Sequence, residues 1–155
     1  MTVVVGVDGS PPSRTALRLA AQEAHWRQEP LVAVSAYEPP FGLPAGGYPI
    51  GALHTADDER VEAESTLRDA VSEELGDQAG QTDLRVAEGL AGRVIIETAR
   101  QTHADLIVLA ASPGKAVLPG TVSQYVLLKA ECPVMLVPGD GAMSTGPRGP
   151  GEVAL

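Results

Sequence analysis

The stretch Ala104 to Val137, ADLIVLAASPGKAVLPGTVSQYVLLKAECPVMLV, reads as a strand, a glycine-bearing loop, a short helix and a final strand. Asp105 introduces an unbroken apolar run from Leu106 to Ala110. Such a run fits a strand covered on both faces, as in a parallel sheet flanked by helices. After the loop, Gly120-Thr121-Val122-Ser123 opens a segment whose Val122, Tyr125, Val126 and Lys129 recur at helical spacing, with Thr121 placed to cap free backbone N–H groups. Cys132-Pro133 ends that helix, because proline disfavours helical geometry in the residue before it. A buried strand that closes on small residues and feeds a Gly-Thr helix start is where an open α/β sheet builds a site for phosphate.

Toward the amino terminus, Val3-Val4-Val5-Gly6-Val7 is a β-branched strand closed by Asp8-Gly9-Ser10. Ser10 is the expected cap of the next helix, and Pro11 sits at its start, where a missing N–H costs nothing. From Ser13 to Arg27, Leu17, Ala20, Ala21 and Ala24 form one stripe at helical spacing, and Trp26 is expected to cover the helix edge. Leu31 to Tyr37 is the second strand, followed by a Pro/Gly-rich loop from Glu38 to Leu53, of a length usual for a lid or a mobile excursion. Thr55 followed by Asp57, Asp58 and Glu59 marks a helix start that runs to about Leu75 and stops at Gly76. Leu84 and Val86 alternate with Asp83 and Arg85 in a short peripheral strand. Ala91 to Thr102 is then helical, with Val94, Ile95 and Ala99 inward.

Strand and helix thus alternate through five strands, which predicts a doubly wound parallel α/β sheet, order 3-2-1-4-5, with helices on both faces. That order reverses direction between the first and fourth strands, so a ligand crevice is expected at their carboxyl ends. Asp8-Gly9-Ser10 and Ala110 to Gly114 converge there. Residues 1–138 are read as one domain and 139–155 as a disordered tail, too poor in apolar surface to offset its ordering entropy.

Composition narrows the function. Hydrophobic residues are 44% of the chain and aromatics 3%, so the core is built from Val, Leu, Ile and Ala. A net charge of −9 without any Lys/Arg cluster opposes binding to nucleic acid or anionic membrane. The single Cys132 excludes an internal disulfide and reads as a small buried apolar group. His25, His54 and His103 lack metal-ligand spacing and read as solvated. The start MTVVVGVDGS has neither the basic stretch nor the apolar run of a signal peptide, and the expected location is cytoplasmic.

The segments VVVGVDGSPPSRTALRLAAQEA, ADLIVLAA and GTVSQYVLLKAECPVMLV, in this order, closely resemble the universal stress protein family over roughly Val3 to Val137. The resemblance implies a small cytoplasmic domain of the adenine nucleotide alpha hydrolase-like kind. It also implies homodimers, frequent ATP binding with Mg able to accompany it, and a role in stress survival without enzymatic turnover. ATP-binding members carry G-x2-G-x9-G-[ST] after the fourth strand. Here Ala110 and Pro113 stand where the first two glycines belong, and six residues separate Pro113 from Gly120-Thr121. Alanine restricts the backbone and proline removes an N–H donor. Gly114 and Lys115 offer partial compensation.

Carried over residue by residue, the nucleotide site comprises Val7, Asp8, Gly9, Ser10, Tyr37, Ala110, Ala111, Gly114, Lys115, Gly120, Thr121, Val122 and Ser123. Asp8 has two readings of equal weight, a ribose-hydroxyl acceptor or a local turn and helix cap. The expected function is a non-enzymatic stress-response regulator that binds ATP weakly, with adenosine contacts near Asp8 and Tyr37 surviving better than phosphate contacts. The alternative is a nucleotide-free dimeric interaction module. The apolar last strand, with Val134, Met135, Leu136 and Val137, is the expected dimer interface.

Overall fold

The structure, a computed structural model, describes residues 1–39, 55–111 and 121–138. β1 (Thr2–Gly6), β2 (Leu31–Tyr37), β3 (Asp83–Glu88), β4 (Ala104–Ala110) and β5 (Val134–Val137) form one sheet in the order β3-β2-β1-β4-β5. Every neighbouring pair is parallel, with Val4 opposite Val32 on one side and Ile107 on the other. The predicted architecture and strand order are the observed ones. Four helices connect the strands: α1 (Pro11–Arg27), α2 (Ala56–Leu75), α3 (Ala91–Gln101) and α4 (Thr121–Lys129), with a 3₁₀ turn (Gly76–Gln81) after α2.

Because successive strand residues face opposite sides, the Val-rich strands feed two cores. Val3, Val5, Leu106 and Val108 pack under α1 and α2 with Leu17, Ala20, Leu67 and Val71. Val4, Val32, Val34, Ile107 and Leu109 pack against Val94, Ile95 and Ile96 of α3 and Val126 of α4. Each Val, Leu or Ile among them, fully buried, contributes about 1.5–3 kcal/mol.

The helix ends follow the sequence signals. Ser10 caps α1 by accepting from Ser13 N–H at 3.4 Å, with proline at the first helical positions. Thr55 and Asp58 form a reciprocal capping box on α2, Asp58 N–H to Thr55 Oγ1 at 3.3 Å and Thr55 N–H to Asp58 Oδ2 at 2.8 Å. Arg14 and Arg18 of α1 are ion-paired to Glu73 and Glu74 of α2.

One local expectation is corrected. Trp26 is 65% exposed and covers little of its helix. α4 is described from Thr121 onward, and the residue before it lies outside the described residues. Its buried residues are Ser123 and Val126, and Val122 is 38% exposed. At the seam with α3, a Cβ at Gly92 would lie 2.8 Å from Tyr125 Cδ1. That close approach sets Tyr125 against α3. Cys132 is half-buried and packs against this α3/α4 cluster. Burial, and then the charges of Asp105 and Glu131, push its thiol up and keep it protonated.

At the amino-terminal edge of the sheet, Glu29 precedes β2 and meets Asp105 of β4. Glu29 Oε2 and Asp105 Oδ1 are shielded from solvent and neither has a donor, since both are acceptors. One shared proton satisfies both. The hydrogen bond to Asp105, then burial, raises the Glu29 carboxyl above its ordinary 4.5, against the weaker pull of Arg27 and the amino terminus. Arg27 Nη1 lies 3.8 Å from Asp105 Oδ2. A raised folded-state value means the folded chain holds this proton more tightly than the unfolded one. The stabilisation is therefore complete below about pH 4.5 and is lost as pH rises through the raised value. Glu29→Gln supplies an N–H donor without a charge. It should raise the thermal midpoint at neutral pH, with the gain shrinking toward about pH 4 as the wild-type pair takes up its proton. Melts across that range check it, and a variant less stable than wild type at pH 7 would contradict the shared proton.

Candidate functional site

Strand order reverses between β1 and β4, and their carboxyl ends open into two adjoining recesses. The inner one, about 170 Å³, is floored by Gly6 and Val7 of β1 and its extension, Val34 to Ala36 of β2, and Leu109 and Ala110 of β4. Ser13 of α1, Ile95 of α3 and Val122 and Ser123 of α4 close it. It is an apolar slot carrying a few hydroxyls and one carboxylate, Asp8. The outer one, about 580 Å³, lies within the usual size of small-molecule sites. Ser35, Ala36, Tyr37 and Glu38 of β2 and its exit line one side, Glu59, Glu62, Ala63 and Thr66 of α2 another, and Gly89, Leu90 and Ala91 a third. Asp8, Ser35, Ala36, Ala91 and Val122 line both.

Asp8 stands at the junction because the β1–α1 turn projects it there. Its Oδ1 accepts from Ser10 N–H at 2.9 Å. Partial burial pushes its carboxyl up, but hydrogen bonds from Ser10 and Ser13 outweigh this and hold it below its ordinary value. Asp8 is thus ionised at neutral pH. The Ser10 bond shows the local turn role, and a carboxylate so engaged keeps acceptor sites for a ligand hydroxyl. Gly9, at φ +83, turns the chain between Asp8 and the Ser10 cap.

Of the residues carried to this site from the sequence, Val7, Asp8, Tyr37, Ala110, Val122 and Ser123 come together around the recesses. Gly9 and Ser10 form the turn that supports Asp8. Ala111 donates its N–H to Val137 O at 2.7 Å, so that donor is spent in the sheet. Thr121 is exposed at the first turn of α4. Gly114, Lys115 and Gly120 lie outside the described residues, as do Pro113, His54 and residues 139–155. His25 and His103 are exposed.

The sequence reading missed Ser35, buried at the end of β2, and the α2 stripe Glu59, Glu62, Ala63 and Thr66. Its spacing of i, i+3, i+4 and i+7 is a helix-face signal. Among the described residues, no group of three His, Cys, Asp or Glu side chains is placed to hold a metal ion. No described helix is long and apolar enough to cross a membrane.

A family model described as "Universal stress protein family" matches residues 1–138. A universal stress protein of Mycolicibacterium smegmatis is 30% identical over 146 residues, covering 89% of this chain and 48% of its own length. This chain spans about half the length of the curated relatives it matches. A universal stress protein solved in complex with cAMP superposes with a TM-score of 0.68 at 26% identity, covering 88% of this chain and 96% of its own. The universal stress protein of Archaeoglobus fulgidus in complex with dAMP gives a TM-score of 0.60 at 26% identity, covering 88% and 97%.

Proposed function

This chain belongs to the universal stress protein family, and from that premise we propose that it is a non-enzymatic regulator that binds adenine nucleotides in the crevice at the carboxyl ends of β1 and β4, and that it works as a homodimer joined through β5. The observation that carries the reading is the pair of recesses meeting at Asp8, at the point where strand order reverses. The relatives solved with cAMP and dAMP share this fold, which supports an adenine-bearing ligand. The inner slot suits a flat apolar base, with hydroxyls at Ser35 and Ser123 to orient it. Asp8 suits a ribose hydroxyl better than a phosphate, because an ionised carboxylate accepts from the former and repels the latter.

Phosphate binding is weak in this reading. Ala110 and Pro113 replace the glycines of the family motif, and Ala111 N–H is engaged by β5. Each lost charge-assisted bond costs about 1.5–3 kcal/mol, a factor of roughly ten or more.

Native mass spectrometry of the purified protein should show co-purifying adenine nucleotide, and calorimetry should show adenosine and AMP binding. Asp8→Ala should weaken both about tenfold. Asp8→Asn, which keeps an acceptor for Ser10 N–H, should separate the ligand contact from the turn. Incubation with ATP should release no phosphate. Failure of adenosine and AMP to bind at millimolar concentration would replace this reading with the nucleotide-free dimeric interaction module.

A further inference from the structure

Among the described residues, the charges that line the outer recess are of one sign. Glu59 and Glu62 line it from α2, Glu38 from the exit of β2, and Asp8 from the turn after β1. Glu59 is half-buried, where charge is screened less than in open solvent. Among the described residues, no Lys, Arg or His lines either recess. The usual surroundings of a triphosphate are the reverse, with cations or a helix N-terminus facing the anion.

We propose that Glu59 and Glu62, with Glu38, are specificity-determining residues that confine this crevice to nucleosides and nucleotides of low charge and turn triphosphates away. The proposal rests on the reading of the crevice as an adenine nucleotide site. The helix period puts Glu59 and Glu62 on the same face of α2 as Thr66, whose methyl group meets the Gly9 turn. The backbone of α2 thus places Glu59, half-buried, and Glu62, exposed, along the recess that Asp8 also lines. Repulsion grows with ligand charge, so a singly charged cyclic monophosphate is penalised little and ATP several times more. The same dependence makes the discrimination sensitive to salt.

The test measures adenosine, cAMP and ATP by calorimetry on the full chain and on the double variant Glu59→Gln, Glu62→Gln, at low and high salt, with and without magnesium. In wild type at low salt, ATP should bind about tenfold or more weaker than cAMP, and the gap should narrow in high salt. The double variant should raise the ratio of ATP to adenosine affinity about tenfold. Three results overturn the proposal while leaving the reading of the crevice intact. ATP binding as tightly as cAMP in wild type would show that the acids impose no penalty. An unchanged ATP-to-adenosine ratio in the double variant, with adenosine still bound, would show that these acids are not the source of one. Tight ATP binding only with magnesium, lost in the double variant, would make the acids metal ligands instead. If none of the three ligands binds wild type, the underlying reading of the crevice fails and the proposal falls with it.

Discussion

Gly9→Val is expected to cost about 2–5 kcal/mol, a large share of the stability of a domain this size. Two effects add. Gly9 sits at φ +83, where a β-branched residue is strained by about 1–3 kcal/mol. A Cβ there would also lie 2.5 Å from Thr66 Cγ2, a separation that requires α2 or the turn to move. The two parts can be separated. Gly9→Ala combined with Thr66→Ser removes the methyl that Cβ would strike but leaves the backbone strain. The double variant should therefore recover only the contact share of the loss, as a double-mutant cycle in urea would show. A Gly9→Val variant within about 0.5 kcal/mol of wild type would mean that the turn tolerates a side chain there, contrary to its geometry. The consequence reaches the ligand site, because this turn presents Asp8 and the Ser10 cap on one side and touches α2 on the other.

The fold was legible because its signals are local and agree with one another. The β-branched runs at Val3 and Leu106, the Ser10-Pro11 and Thr55-Asp58 helix starts and the stop at Gly76 each depend on a few adjacent residues. The switch point follows from strand alternation, which places Asp8 and Ala110 at one crevice, and both line the inner recess. What escaped was set by packing between elements. Tyr125 settles against Gly92, a contact between helices distant in sequence. Glu59 was read as a favourable charge at a helix start, which it is. That it also faces a recess shared with Tyr37 depends on the tilt of α2 over the sheet, which no local pattern records. Trp26 lies at the end of a helix whose buried stripe is mostly alanine, and nothing in that stripe shows where the ring points.

Leu136→Arg is expected to convert a dimer into a monomer, raising the dissociation constant about a hundredfold or more. The two sheet edges differ in kind. β3 carries Asp83, Arg85 and Glu88, with Arg85 paired to Asp83 at 3.0 Å, the charged guard that discourages pairing between molecules. β5 reads VMLV and has no charge at all. Val137 is 2% exposed and already belongs to the core of its own protomer, so Val134, Met135 and Leu136 are what remains for a partner. Val134 and Leu136 lie on the α3/α4 face. An uncharged apolar edge suits an isologous pairing with a second copy of the same strand. In such an interface every substitution occurs twice. An unpaired Arg buried from each side costs several kcal/mol, and each 1.4 kcal/mol is a tenfold change in affinity. Light scattering across micromolar concentrations reads the result directly. Leu84→Arg on the guarded edge, 38% exposed in wild type, is the control and should leave the dimer intact. A monomeric wild type would place the cover of β5 elsewhere. Loss of the dimer in both variants would mean that added positive charge, rather than the β5 contact, separates the protomers.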